Sequence, residues 1–250
     1  MSEPAYDLGV VCEAPADRDT ACLLADRVLL AEIDWLDAGL LDLHRRWRGL
    51  KPAESYLRWG SVSDTATQAG LKGIFGHFAG EAGAHDALAA RKALLLLATS
   101  QEPPDAVMLI RDSDTDSNRR KGLEQARDDR SWPFEVVIGV AEPKRECWVL
   151  AGFDARGNEV ETLRAVEQRL SFHPVRDAHR LTAREHGAKN DAKKALDELT
   201  SGNSERELEC LRETPLETLQ SRGEQVRLTR FLAEVRERLV PVVGGSKRSG

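Results

Sequence analysis

The chain has 250 residues, 41% of them hydrophobic and 31% charged, which is long and apolar enough for a sizeable core and excludes wholesale disorder. Its 36 Lys and Arg against 42 Asp and Glu leave a formal net charge of −6 at pH 7. That balance weighs against a simple role as a nucleic-acid coat, because contacts to phosphate need positioned Lys and Arg and so a local basic surface. The four cysteines (Cys12, Cys22, Cys147, Cys210) lie far apart, without CxxC pairs or zinc-ligand spacing, and are expected to be buried reduced thiols. Met1 to Leu8 lacks the basic and apolar stretches of a signal peptide, and the longest apolar run, Ala93 to Ala98, is too short to span a bilayer. A cytoplasmic protein with no membrane partner is the expectation.

Tyr6 to Cys12 (YDLGVVC) reads as a short buried strand. Asp19 reads as the N-cap of a helix over Thr20 to Leu36, whose apolar positions recur at three and four residues. Between them lies the acidic loop Glu13-Ala-Pro-Ala-Asp17, at a strand end, where α/β folds place their ligands. Residues 38–80 read as an irregular insertion with some helix, carrying the basic stretch His44-Arg45-Arg46-Trp47-Arg48. Gly70, Gly73, Gly76 and Gly80 suggest a mobile loop; GLKGIFGHFAG lacks the GxxxxGK[ST] pattern of a phosphate-cradling loop. His85 to Thr99 is a predicted helix.

Asp105 to Arg111 is a continuous apolar strand with Asp112-Ser-Asp-Thr-Asp116 at its end. A charged helix over Asn118 to Arg130 and a second buried strand over Phe134 to Ala141 complete a βαβ pattern, which implies neighbouring parallel strands. Glu142-Pro143 and an apolar segment, Glu146 to Phe153, follow. From Asp154 the chain turns polar and helical, with helices expected over Asp191 to Leu199 and Ser204 to Leu211. In Gly223 to Leu239 the apolar residues sit at helical spacing and read as core. The tail 244–250 (GGSKRSG) is expected to be disordered.

The acidic residues carry the chemistry. Mg²⁺ or Mn²⁺ takes oxygen ligands, usually one or two carboxylates plus waters and a substrate phosphate, and two such ions can stabilise the attacking and leaving oxygens of a phosphodiester. Candidate ligands fall in three segments: Glu13 and Asp17, then Asp112 and Asp114 (with Asp116), then Glu142 and Glu146. Side chains two apart on an extended segment point the same way, so Asp112 and Asp114 can share one site. Taken alone, DSDTD is a solvated turn and Glu13 and Asp17 are a turn and a cap. An EF-hand reading is disfavoured because Ser117 stands where its loop needs Gly.

An ExxxD after the first strand and a DxD after a later apolar strand, met here as Glu13-xxx-Asp17 and Asp112-x-Asp114, resemble the two motifs of the TOPRIM domain. The segment Pro143-Lys-Arg-Glu146-Cys-Trp-Val-Leu150 resembles a Pro-x-x-Glu-x-Trp-Leu-Leu stretch of small TOPRIM proteins related to the OLD-family nucleases. The resemblance spans roughly residues 6 to 155. It departs at Ala14, where the family has Gly, and over residues 33–100, which are longer than in a minimal TOPRIM domain.

The resemblance implies an α/β, Rossmann-like, mostly parallel sheet flanked by helices over residues 1–155, with a helical part over 156–243 packed on it. It implies a Mg²⁺- or Mn²⁺-dependent nuclease acting on DNA or RNA. Glu13, Asp17, Asp112, Asp114 and Glu146 would be metal ligands, with Glu142 the alternative third acid, and Glu13, Asp112, Asp114 and Lys189 would be the catalytic set. It also implies a role in anti-phage defence, a separate ATPase partner and self-association. Arg111, Arg119, Arg120, Lys121, Lys144 and Arg145 could hold phosphates; a charged helix face is the plainer reading of Arg119 to Lys121. His173, His179 and His186 show no metal spacing and read as surface or capping residues. A catalytically inactive TOPRIM scaffold that binds a partner or nucleic acid, and a nucleotidyl transferase or ligand-binding α/β domain, are the other function classes.

Overall fold

The apolar run of Tyr6–Cys12 forms strand β1, and Ala106–Asp112 forms β6; both lie almost wholly out of solvent, as continuous apolar strands of a parallel sheet do. In the computed structural model, which describes residues 6–245, these strands pair in parallel with Leu8 opposite Ala106 and Val11 opposite Leu109. The sheet has five strands in the order β2-β1-β6-β7, with β2 at Arg45–Arg48, β7 at Glu135–Ala141 and a short β3 at Leu57–Arg58 that also pairs with β1. β2 and β3 both run parallel to β1. The protein is therefore α/β with a mostly parallel sheet flanked by helices, as the βαβ pattern led one to expect. Among the described residues, no helix is long and apolar enough to cross a membrane.

The contacts divide the chain into two compact units. Of the described residues, the first holds 6–111, 116–139 and 233–245, and so most of the sheet. Its helices are α1 (Pro15–Glu32), α2 (Leu41–His44), α3 (Val62–Gln68), α4 (Ala87–Ala98) and α5 (Asn118–Asp128). A two-stranded antiparallel hairpin, β4 (His77–Phe78) with β5 (Glu81–Ala82), stands in the glycine-rich stretch read as a loop. α5 packs against the segment entering α4 so closely that a Cβ on Gly122 would lie 1.9 Å from the His85 carbonyl oxygen.

The second unit holds 112–115 and 140–232. Its centre is α6 (Arg145–Ala151), the apolar segment of the sequence wound into a helix, in which Cys147, Trp148, Val149, Leu150 and Ala151 are all buried. The Trp148 indole stacks on Phe231 at 4.9 Å and donates its N–H to the Val226 carbonyl at 2.8 Å. Around it run α7 (Glu159–Leu170), α8 (Ala192–Thr200), α9 (Ser204–Glu213) and α10 (Leu216–Gly223). The apolar residues of 223–239 are buried as expected, but they fall on α11 (Leu228–Glu234) and a π-helical turn, Val235–Leu239, that leads into α12 (Val240–Gly244). Gly244 ends α12 and Gly245 accepts a hydrogen bond from the Tyr6 hydroxyl at 2.5 Å. The rest of the expected disordered tail lies outside the described residues.

Two local expectations are corrected. The first helix begins at Pro15, not after Asp19: Pro at the first helical position is preorganised for it, and Asp17 accepts the Ala14 N–H at 3.0 Å. Asp19 sits inside the helix and pairs with Arg18 at 2.7 Å, and the helix stops at Glu32. The basic stretch of the presumed irregular insertion is strand β2, because two acids neutralise it. Asp7, opposite Arg46 in the register, takes both Arg46 (2.7 Å) and Arg48 (3.1 Å), while Asp26 takes Arg45 (2.7 Å) and the Trp47 N–H (3.0 Å). Arg48 is fully buried and also donates to the carbonyls of Gly49, Leu50 and Glu102.

Burial pushes the Asp7 carboxyl up, but Arg46 and Arg48 outweigh it and hold its pKa below the ordinary 3.8. The pairing therefore stabilises the fold fully above about pH 4 and is lost as pH falls through the lowered value. Arg48→Ala should cost about 3 kcal/mol or more in urea unfolding at pH 7, since it empties a fully buried site and takes the Arg48 donors from the Gly49, Leu50 and Glu102 carbonyls. Asp7→Asn should be less stable at pH 7 yet lose less stability than wild type on acidification below about pH 4. Equal acid sensitivity of the two proteins would show that this pair does not hold β2.

Candidate functional site

The first unit supplies one group of charged residues at the carboxyl ends of its strands. Glu13 follows β1 and is 48% exposed; its two oxygens meet Arg111 at 3.1 Å and Arg58 at 3.4 Å. Arg58 comes from β3, opposite Cys12 in the register, and Arg111 from β6. The Arg111 guanidinium also pairs with Asp86 at 3.3 Å and lies 5.4 Å from the Trp59 ring centroid. Asp86, at the N-cap of α4, is further met by Arg119 at 3.5 Å and His85 at 3.4 Å. Asp17, in the first turn of α1, is fixed by the Ala14 N–H. The result is an exposed carboxylate held between two guanidinium groups.

The second unit supplies the acidic loop. Asp112 accepts the Arg145 N–H at 2.8 Å and so satisfies a free donor in the first turn of α6. The backbone N–H of Ser113 donates to Ala141 (2.8 Å) and that of Asp114 to Pro143 (3.0 Å), which ties the loop to the turn that precedes α6. Asp114 and Thr115 take the left-handed conformation, with φ of 46° and 66°. Asp tolerates that region, but a β-branched Thr rarely enters it, so the loop stores strain that its hydrogen bonds must offset. Arg184 donates to the Thr115 hydroxyl at 2.8 Å. The Asp116 carboxylate accepts the N–H of Asn118, the first residue of α5, at 2.9 Å.

The remaining candidates have partners of their own. Glu146 faces Arg145 at 3.5 Å, and the largely buried Arg145 reaches Glu207 at 2.8 Å. Glu142 donates its backbone N–H to Val226 at 3.1 Å. Arg120 is tied to Glu124 and Glu234, a structural pairing, and Lys121 is an exposed residue 4.0 Å from Glu81. Lys189 is exposed, and its carbonyl accepts from Arg169. Lys144 lies 3.8 Å from the buried Asp191, which caps α8, and His186 meets the same carboxylate at 3.2 Å. Burial pushes the Asp191 pKa up, but the N–H groups of Gly187 and Lys193 and the charges of Lys144 and His186 bring it below its ordinary value. His173 accepts N–H bonds from Val175 and Arg176 within a turn.

Sequence reasoning found Glu13, Asp112, Asp114 and Arg111 but missed Arg58 and Asp86. A two-residue strand leaves no periodic signal to place Arg58, and Asp86 lay inside a stretch read simply as helix. All four cysteines are free and buried. Burial, reinforced by the Asp17 carboxylate, pushes the Cys12 thiol well above its usual range, and burial pushes Cys210 up to about 11. Thiolate chemistry is thereby excluded at neutral pH for these two.

Among the described residues, no three His, Cys, Asp or Glu side chains form a ready-made cage for a metal ion. Mg²⁺ does not require one, since it keeps waters and takes one or two carboxylates together with substrate phosphate. The donors on offer are carboxylate oxygens, with Glu13 half exposed and no thiolate among them, and that chemistry fits a hard divalent cation.

Asp112 should separate its hydrogen-bonding role from its charge. Asp112→Ala removes the acceptor for Arg145 and should lower stability by about 1 kcal/mol, while Asp112→Asn keeps an oxygen there and should change it by less than about 0.5 kcal/mol. Urea unfolding of both variants checks this; equal losses would mean that the charge, not the hydrogen bond, holds α6.

No family model matches the chain, and neither a curated protein nor a solved structure matches it.

Proposed function

We propose that the chain is a divalent-cation-dependent nuclease that hydrolyses phosphodiester bonds of DNA or RNA. The observation that carries this reading is the parallel pairing of β1 with β6. Parallel neighbours end on the same edge of their sheet, so Glu13 after β1 and Arg111 near the end of β6 both lie there, the usual position of ligand sites in α/β folds. Glu13, Asp112 and Asp114 would hold Mg²⁺ or Mn²⁺, with Asp17 and Glu146 as supporting acids. When bound, such an ion polarises a phosphoryl oxygen and lowers the pKa of bound water.

The chain's own residues account for the rest of the chemistry. Glu13 would accept the proton of the attacking water. Arg58, 64% exposed, and Arg111 stand on Glu13 and would meet the negative charge of a phosphate. Lys189 would support the leaving oxygen. An ATPase partner, self-association and an anti-phage role belong to the same proposal through the resemblance to OLD-family nucleases. A second reading, an inactive TOPRIM-like scaffold, is favoured by one observation: Glu13 and Asp112 already have protein partners.

The test is cleavage of labelled single- and double-stranded DNA and tRNA in Mg²⁺ or Mn²⁺, with and without EDTA. Cleavage that EDTA abolishes, and that falls by at least about a hundredfold in Glu13→Gln, Asp112→Asn and Asp114→Asn but little in Asp116→Asn, is the expected result. Activity retained by all four variants would remove the nuclease assignment to these residues. No cleavage of any substrate, with metal binding also absent, would favour the scaffold.

A further inference from the structure

A second surface of the first unit stands outside this chemistry. Among the described residues five large hydrophobic side chains are notably exposed, and three of them fall within nine residues: Trp35 (51%), Leu40 (46%) and Leu43 (55%). They are not on a loose loop. Ile33, Leu36 and Leu41 anchor the segment in the core, and backbone hydrogen bonds run from Ile33 to Leu29, Leu36 to Ile33, Leu40 to Asp37 and Leu43 to Leu40. The Asp37 carboxylate accepts the Gly39 N–H at 2.7 Å and tightens the turn. Leu40, Leu43 and His44 are three and four residues apart around α2 and so share a face. The His44 ring meets Trp35 edge-on at 5.1 Å, which joins that face to the indole.

The rim of this patch is acidic. From Ile33 to His44 the sequence carries Asp34, Asp37 and Asp42 and no Lys or Arg, and all three acids are exposed; Asp42 pairs with the neighbouring Arg45 at 2.6 Å, which leaves Asp34 and Asp37 to set the sign. An exposed apolar patch with a charged rim marks an interaction surface, and a Trp at its centre is the side chain most enriched in binding hot spots. The rim selects the occupant. A second copy would bring Asp34 and Asp37 against themselves across a two-fold contact, which like-charge repulsion opposes.

We infer that Trp35, Leu40 and Leu43 form a docking surface for a basic amphipathic helix of a partner protein. The partner's apolar face covers the indole and the two leucines, and its Lys or Arg residues meet Asp34 and Asp37. The site is independent of the proposed metal chemistry.

The probe is a fluorescein-labelled Leu/Lys amphipathic helix of about 18 residues, five turns long, followed by anisotropy with the full-length protein. Its Leu/Glu counterpart is the control. The Leu/Lys peptide should bind saturably and more weakly as salt is added, and the Leu/Glu peptide should not bind. Leu43→Glu and Asp34→Lys should each weaken binding at least about tenfold. Both positions are exposed, so unchanged melting temperatures establish that the variants fold. Binding undiminished in both variants, equal binding of the two peptides, or no binding of either would overturn the inference. So would a concentration-dependent dimer in sedimentation velocity that Leu43→Glu abolishes, because the occupant would then be a second copy.

Discussion

The pairing of β1 with β6 is the contact on which the functional reading depends. Tyr6–Cys12 and Ala106–Asp112 lie side by side in parallel, their apolar residues nearly devoid of exposure from Leu8 to Cys12 and from Ala106 to Ile110. Register here is not negotiable. Both faces are buried, so moving one strand by a residue would repack every side chain on it and carry the charged residue at its end into the interior. The same burial that fixes the register fixes where each strand stops. The chain turns polar as the strands end, at Glu13 after β1 and at Asp112 in the last position of β6, so the acids sit at strand ends because apolar residues claim the interior.

Charge in this chain is handled by pairing rather than by a surplus of one sign. Although 31% of residues are charged and the net charge is −6, the ion pairs are local and several are shielded: Asp7 with Arg46 and Arg48, Asp26 with Arg45, Glu234 with Arg120 and Arg127, Glu207 with Arg145. Exposed pairs add little to stability, typically about 0–1 kcal/mol. Their effect is to decide which cations are committed. Arg45, Arg46 and Arg48, a basic stretch in the sequence, are committed to Asp7, Asp26 and Asp42. Arg58 and Arg111, which the sequence does not mark as a pair, meet at Glu13.

Periodicity made the sheet and its helices legible because buried apolar runs leave a signal that survives without any knowledge of contacts. Tyr6–Cys12 was read residue for residue, and the strands at 106–112 and 135–141 and the helices at 87–98 and 118–128 were read to within three residues at their ends. β2 was illegible for a physical reason: its strand character comes from Asp7 and Asp26, which lie 39 and 19 residues away from their Arg46 and Arg45 partners. The start of α1 was misplaced because Asp19 resembles a cap, whereas Pro15 and Asp17 set the true beginning. The left-handed turn at Asp114 and Thr115 had no sequence signal either, since Thr is the residue least suited to it. The acidic residues themselves were visible in the sequence; which of their oxygens are held by N–H groups and guanidinium ions was not.

A cation held by Glu13, Asp112 and Asp114 is the central claim, and it can be measured without any substrate. Mn²⁺ titrated into the protein gives an electron paramagnetic resonance signal that reports the free ion, and so counts the ions that bind. Saturable binding by the wild type, weakened at least about tenfold in Glu13→Gln and Asp114→Asn but unchanged in Asp116→Asn, is the predicted result. Binding that is absent in the wild type, or the same in all four proteins, would contradict it.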